Sequence, residues 1–201
     1  MVCIIDYGAG NLKSVSHALN YIGAENIISS DRDEILAADR ILLPGVGAFG
    51  DAMAQIKRHG LVNTIYDAVN SGKPFMGICL GMQLLFEDSE ESPGVPGLGI
   101  FPGSILKFPS DMGLKVPHVG WNRLCCRQSD SIYQCADGKF VYFVHSFYLK
   151  AKDPSLIACT SDYGMEFHAA IEKKNVSASQ FHPEKSGETG LSILKAFVSR
   201  T

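Results

Sequence analysis

The chain has 201 residues, of which 46% are hydrophobic and 19% charged, and its formal net charge is −3. These values suit one globular domain, residues 1–201, with a substantial core. The negative charge argues against a nucleic-acid binder, and no apolar run approaches the roughly 18 residues of a membrane span. No signal peptide is recognisable and the six cysteines form no C-x-x-C pair, so we expect reduced thiols in the cytoplasm and no metal site.

Strand-like and helix-like segments alternate in the first half of the chain. Strands are predicted at Val2–Asp6, Asn26–Ser29, Asp39–Leu43 and Phe75–Ile78. Helices are predicted at Asn11–Ile22, Ala48–His59, Leu61–Ser71 and Leu80–Glu87. This alternation favours an α/β fold with a mostly parallel sheet and helices on both faces.

The second half changes character after a polar loop at Glu87–Gly99. Strand-like segments follow at Ile105–Phe108, Trp121–Cys126, Phe140–Val144, Ile157–Ser161, Phe167–Glu172 and Val176–Phe181, and a closing helix is predicted at Ser192–Ser199. Turn residues separate these strands, which indicates an antiparallel or mixed extension of the parallel sheet.

Cys79 lies at the centre of the G-x-C-x-G stretch Gly77–Gly81, the thiol counterpart of the nucleophile elbow. A short apolar strand ends there and a helical run begins. The sharp turn needs small neighbours, and a helix N-terminus favours thiolate over thiol. We therefore predict Cys79 to be a nucleophile, although a lone buried cysteine is often only a packing residue.

A second motif supplies the partners that a catalytic thiol needs. His182 can act as the base, and Glu184, two residues later, can orient its imidazole. Residues two apart on an extended segment share a face, and Pro183 between them keeps the segment out of a helix. The alternative is a surface histidine beside a solvated glutamate.

These two motifs, Cys79–Gln83 and Phe181–Ser186, resemble those of the class I (triad) glutamine amidotransferases. Further blocks resemble one branch of that family, the glutaminase subunits of imidazole glycerol phosphate synthases in histidine biosynthesis: Asp6–Leu12, Leu43–Gly50, Pro117–Asn122 and Tyr142–Ser146. The resemblance spans nearly the whole chain, in the family's order. It implies hydrolysis of L-glutamine through a thioester, no cofactor, and a heterodimer with a (β/α)8-barrel synthase subunit that receives the ammonia.

The thioester mechanism requires N–H donors for a tetrahedral oxyanion. The N–H of Leu80, directly after the nucleophile, is one expected donor. The second should come from the glycine-rich stretch with Gly45 and Val46, which follows a strand, where ligands bind in open α/β sheets. The family resemblance favours the N–H of Val46.

The resemblance also implies a glutamine-binding set and a partner interface. The glutamine-binding residues would be Gly47, Gln83, Glu91, His145, Ser146 and Phe147, with His145–Phe147 contributing mainly backbone groups. The interface residues would be Asn11, Pro117, His118, Trp121, Asn122, Tyr142 and Lys185. Structural alternatives remain open at this point: a solvated helix glutamine for Gln83, one member of an acidic loop for Glu91, and a core residue for Trp121.

Three other functions remain as alternatives. The first is a glutaminase of another pathway, such as pyridoxal phosphate or GMP synthesis, which the Pro117–Asn122 block disfavours. The second is a non-catalytic glutamine-binding scaffold, against which Cys79, His182 and Glu184 argue. The third is a thiol hydrolase of a related α/β family, which would act on other substrates without a partner.

Overall fold

A computed structural model describes residues 1–111 and 113–200 of the chain. Its strands are β1 Val2–Ile5, β2 Asn26–Ser29, β3 Arg40–Gly45, β4 Phe75–Cys79, β5 Asp88–Ser89, β6 Gly103–Lys107, β7 His118–Arg123, β8 Cys125–Cys126, β9 Phe140–His145, β10 Phe147–Ala151, β11 Ile157–Asp162, β12 Glu166–Lys173 and β13 Val176–Ser179. Its helices are α1 Leu12–Tyr21, α2 Arg32–Ala37, α3 Phe49–Arg58, α4 Leu61–Asn70, α5 Leu80–Gln83 and α6 Gly187–Val198. None of the described helices has the length and apolar character needed to cross a membrane.

One sheet of eleven strands forms the centre of the molecule, and its main path is β2-β1-β3-β4-β13-β12-β10-β6-β5. The strands from β2 to β13 along this path are parallel, and β13 pairs antiparallel with β12. Strands β7 and β9 form a separate antiparallel ladder in which Trp121 pairs with Tyr142. The prediction of a parallel sheet with an antiparallel or mixed extension is confirmed.

The central strands are apolar on both faces because helices cover both sides of the sheet. Every residue of β1 and of β4 is buried. Along β3, Leu43 packs into the cluster that includes residues of α2, α3 and α4, whereas Leu42 packs into the cluster that includes residues of α1 and α6. This alternation is the period-2 pattern of a strand between two apolar layers.

Several element boundaries differ from the prediction. Strand β3 continues through Pro44 to Gly45, which is tolerated because β1 pairs with β3 only as far as Leu42 and leaves β3 a single neighbour beyond that point. The helix after Cys79 ends at Gln83. The carbonyls of the next three residues accept hydrogen bonds from N–H groups of the loop at residues 98–101 instead of from a further helical turn. The segment Trp121–Cys126 divides into β7 and β8.

Three elements were absent from the prediction, and one of them, β5, lies within the loop predicted at Glu87–Gly99. Helix α2 has only six residues, too few for a clear helical period, although Asp31 caps it through hydrogen bonds from the N–H groups of Asp33 and Glu34. Strand β10 follows β9 after the single residue Ser146 and pairs in the other sheet. The two strands therefore resemble one apolar run in the sequence.

Helix α6 packs against the 3₁₀ turn Pro183–Lys185, and Gly190 makes this contact possible. A Cβ built on Gly190 would lie 1.8 Å from the carbonyl oxygen of Pro183.

We predict that Gly190→Ala lowers the free energy of unfolding by about 2 kcal/mol, measured by urea denaturation. Alanine's higher helix propensity alone would raise it by about 1 kcal/mol, so an increase would contradict this packing. Lys195→Ala, on the exposed side of the same helix, should change little.

Candidate active site

The carboxyl ends of three neighbouring parallel strands meet at one edge of the sheet. Gly45 at the end of β3 pairs with Cys79 at the end of β4. Strand β13 pairs with the other side of β4, and the chain continues from Ser179 to His182. As a result Val46, Cys79 and His182 line one cavity of about 410 Å³.

Cys79 occupies a strained turn between β4 and α5. Its φ of 54° and ψ of −112° are unusual for a residue with a side chain, and such strain concentrates at functional sites. The flanking glycines allow the turn. A Cβ on Gly81 would lie 1.9 Å from the carbonyl oxygen of Leu43, and one on Gly77 would lie 2.9 Å from that of Gly81. The G-x-C-x-G pattern therefore reflects close contact between backbones.

His182 and Glu184 form a buried pair beside the cavity. His182 Nδ1 lies 2.8 Å from Glu184 Oε1, and the two side chains are 3% and 1% exposed. Because the carboxylate accepts a hydrogen bond from the Nδ1–H group, Nε2 is the nitrogen left to exchange a proton with a reactant. Nε2 has no hydrogen-bond partner among the residues that the structure describes.

The backbone of His182 is fixed from two sides. Its N–H donates to the carbonyl of Tyr142 on β9 at 3.0 Å. Its own carbonyl accepts a hydrogen bond from Ser186 Oγ at 2.6 Å, and the same hydroxyl accepts from the N–H of Tyr142. The position of the imidazole is thus tied to strand β9.

The charge of His182 depends on its neighbours. Burial disfavours the charged ring and by itself lowers the pKa of His182, but interactions with Cys79 and Glu184 outweigh burial and raise this pKa from 6.5 to about 10. The protonated ring is therefore favoured here, and an imidazolium beside a cysteine is the arrangement that activates it as a nucleophile.

Gln180 is a site residue that the sequence reasoning missed. Its side chain is fully buried, and its Nε2 lies 3.6 Å from Cys79 Sγ. Its Oε1 accepts a hydrogen bond from Gln83 Nε2 at 2.9 Å. The available signal was its spacing, because Gln180 lies two residues before His182 on an extended segment. Gln83 is only 5% exposed, so the alternative of a solvated helix residue is wrong.

The predicted oxyanion residues lie at the same edge. Gly45 is buried, and a Cβ there would lie 2.7 Å from the Tyr7 hydroxyl and 2.8 Å from the Gly81 nitrogen. Val46 is 41% exposed and lines the cavity together with Leu80, the first residue of α5. The N–H groups of Val46 and Leu80 remain the predicted donors.

All six predicted glutamine-binding residues line the cavity: Gly47, Gln83, Glu91, His145, Ser146 and Phe147. Two of them also have structural contacts. Glu91 Oε2 accepts a hydrogen bond of 2.8 Å from the backbone N–H of Phe49, the first residue of α3. His145 Nδ1 lies 2.8 Å from the Phe147 carbonyl oxygen, which makes the His145 ring a hydrogen-bonded group rather than a free base.

The predicted interface residues do not share one environment. Trp121 is 55% exposed and contacts Tyr142 edge-to-face, and its ring lies over Gly187, close in sequence to exposed Lys185. Pro117 is exposed, and Asn11 and Asn122 are half-buried. Together with Val119, Phe140 and Val144, Trp121 forms an exposed apolar face on the β7–β9 ladder.

His118 requires a correction. The family resemblance places it at the partner interface, but the residue is only 3% exposed. The ring stacks on Tyr163 and Phe143 beneath the β7–β9 ladder. A buried ring cannot contact a partner directly, so this prediction is wrong for the His118 side chain.

Comparison with known proteins identifies the family. The model of the family "Glutamine amidotransferase class-I" matches residues 3–200. The chain is a class I glutamine amidotransferase.

Curated relatives of this amidotransferase are similar over their full length. The imidazole glycerol phosphate synthase subunit HisH of Methanothermobacter thermautotrophicus is 49% identical over 198 residues, 98% of each chain. The protein of the same description from Bacillus cereus is 50% identical over 198 residues, 98% of this chain and 93% of the relative. Among solved structures, PurLQS from Thermotoga maritima has a TM-score of 0.76 at 23% identity, covering 98% of this chain and 96% of that one. At that identity the likeness concerns the fold alone.

We predict that Glu184→Gln in this amidotransferase lowers kcat/KM for glutamine by about 10²-fold or more. The charge of Glu184 helps to raise the pKa of His182, so its loss lowers that pKa. The imidazolium that protonates the departing nitrogen then loses its proton at a lower pH. The alkaline limb of the pH profile of kcat/KM therefore shifts to lower pH. Glu188→Gln, an exposed change on α6, is the control. If the alkaline limb lies at the same pH in Glu184→Gln as in wild type, Glu184 does not raise the pKa of His182.

Proposed function

We propose that the chain, residues 1–201, is the glutaminase subunit of an imidazole glycerol phosphate synthase and acts in the cytoplasm. One observation carries the proposal: a strained cysteine, a buried His–Glu pair and six expected glutamine-binding residues line or adjoin a single cavity. The full-length similarity to relatives described as synthase subunits supports the choice of pathway.

The proposed reaction begins with attack of the Cys79 thiolate on the side-chain carbonyl of glutamine. The N–H groups of Val46 and Leu80 stabilise the oxyanion, and such a donor is worth about 3 kcal/mol. His182 transfers its Nε2 proton to the departing nitrogen, so that ammonia leaves and a γ-glutamyl thioester remains. Water then gives a proton to His182 and attacks the thioester, which releases glutamate. Glu184 stays ionised throughout.

The cavity offers complementary groups for an amino acid. Glu91 lines the cavity, and its negative carboxylate is complementary in charge to the α-ammonium group of a bound glutamine. The backbone at residues 145–147 lines the same cavity and can bind the α-carboxylate. Gln180 Nε2 lies 3.6 Å from Cys79 Sγ and can donate to the sulfur, and Gln83 positions Gln180 by donating to its Oε1.

The exposed apolar face of the β7–β9 ladder is the proposed docking surface for the synthase subunit. Half-exposed tryptophan is enriched at the centre of interfaces, and Trp121 is 55% exposed. We propose that the partner is a (β/α)8 barrel that converts a phosphoribulosyl-formimino ribonucleotide to imidazole glycerol phosphate and an aminoimidazole carboxamide ribonucleotide. Direct transfer keeps the ammonia unprotonated, and an uncoupled subunit would waste glutamine. We therefore expect low activity for the chain alone.

The test measures glutamate release by the chain alone and in a complex with the barrel subunit, with and without the nucleotide. We predict strong stimulation by the nucleotide-loaded partner and loss of glutamate release in Cys79→Ala, which should still bind the partner. Cys125→Ala, which removes an exposed thiol, should behave as wild type. Full turnover by the isolated chain would refute partner dependence. Undiminished turnover in Cys79→Ala would refute the mechanism.

A further inference from the structure

Two histidines outside the proposed catalytic pair face each other beneath the β7–β9 ladder. His118 on β7 and His145 on β9 are directly paired in register. His118 Nδ1 lies 3.0 Å from His145 Nε2, and the two side chains are 3% and 6% exposed. Buried imidazoles in direct contact need a defined proton arrangement, because each neutral ring has one donor and one acceptor.

The surroundings allow one arrangement that satisfies both rings. The Phe147 carbonyl oxygen can only accept, so His145 Nδ1, at 2.8 Å from it, must carry the proton. His145 Nε2 is then an acceptor, and His118 Nδ1 must donate to it. His118 Nε2 in turn becomes an acceptor and faces Asn122 Nδ2 at 3.5 Å. The Asn122 amide also donates to the Asp162 carbonyl at 2.6 Å.

Burial favours the neutral form of both rings. Burial lowers the pKa of His118 to about 4. Burial also lowers the pKa of His145 to about 3, with the nearby rings of His118 and His182 adding to the effect and the Phe147 carbonyl opposing it. Aromatic rings surround the pair: Phe108, Phe143, Tyr163 and Phe167.

The hydrogen-bonded series continues from His145 to the nucleophile. The Phe147 carbonyl accepts a second hydrogen bond from Gln83 Nε2 at 3.3 Å. Gln83 Nε2 also donates to Gln180 Oε1, and Gln180 Nε2 lies 3.6 Å from Cys79 Sγ. The carbonyl of Phe147 is therefore the point at which the histidine pair and the glutamine pair meet.

We propose that His118 and His145 are positioning residues for glutamine binding. His145 donates from Nδ1 to the Phe147 carbonyl and so holds the cavity wall at residues 145–147, and His118 holds the His145 ring in the orientation of that bond by donating to its Nε2. Without the His118 donor, the ring loses its second hydrogen bond and can turn away from the carbonyl, which would displace that wall. The series also joins the wall to β7, whose other face carries Trp121. This inference rests on the proposed function, because the wall matters only if it binds the substrate.

The first test does not depend on activity. Long-range proton–nitrogen NMR of the imidazole nitrogens reports the tautomer of each ring. We expect His118 and His145 to remain neutral, with the proton on Nδ1, between about pH 5.5 and 8. An Nε2–H tautomer or an imidazolium at either residue in this range would overturn the proposal, whatever the substrate of the enzyme.

The second test compares His118→Asn with His118→Leu in the complex with the synthase subunit. The two side chains have nearly the same shape and both remove the aromatic stacking, but only asparagine retains a donor at the position of Nδ1. We expect the leucine variant to raise KM for glutamine about 10-fold relative to the asparagine variant, with a smaller change in kcat, because the wall binds the ground state. Tyr163→Phe, which keeps the stacking on His118, should match wild type.

The outcomes separate the two proposals. Equal KM values in the asparagine and leucine variants, with wild-type activity intact, would overturn the positioning role and leave the proposed function standing. A wild-type complex that does not hydrolyse glutamine would overturn the proposed function, and the NMR measurement would still decide the tautomers. If His118→Leu does not fold, His118→Phe replaces it, since it keeps an aromatic ring and lacks the donor.

Discussion

The site depends on the parallel pairing of β3, β4 and β13. This pairing brings together the ends of segments far apart in the chain, so that the residues after Gly45, Cys79 and Ser179 face one cavity. Backbone contact enforces it at the centre, where Gly81 leaves no room for a Cβ beside the Leu43 carbonyl. The same close packing accompanies the strained φ of Cys79, whose side chain lines the cavity. The pairing of these three strands thus positions the Cys79 turn, the predicted oxyanion residues Gly45 and Val46, and the base His182.

Electrostatics then determines what the assembled groups can do. A buried imidazole alone would favour its neutral form, as His118 and His145 do because of burial. His182 differs because a buried carboxylate and the nucleophile adjoin it and raise its pKa. Histidines within one small region therefore divide into a charged group suited to proton transfer and neutral groups suited to holding the backbone. Their neighbours, rather than their residue type, separate these roles.

Much of this arrangement could be predicted from the sequence, but only where local chemistry specifies it. Gly77, Gly81 and Pro183 constrain the backbone of their own motifs, so the nucleophile and the proposed base were recognisable. The contact of Gln180 with Cys79 depends on which strand pairs with β4, and the burial of His118 depends on the register of β7 with β9. The spacing of Gln180 from His182 indicates only that the two share a face, and the strand pairings themselves have no signature in the local sequence. Strand β10 was missed because one residue, Ser146, separates it from β9.

The coupling between the Cys79 sulfur and the His182 imidazole can be measured as the rate at which iodoacetamide alkylates Cys79 at neutral pH, in wild type and in His182→Ala. Peptide mass spectrometry can follow Cys79 and the exposed Cys125 in the same sample. If the imidazolium stabilises the thiolate, the Cys79 rate should fall about 10-fold or more in the variant, while the Cys125 rate stays constant. Equal Cys79 rates in the two proteins would contradict the account, because sulfur and imidazole would then act independently.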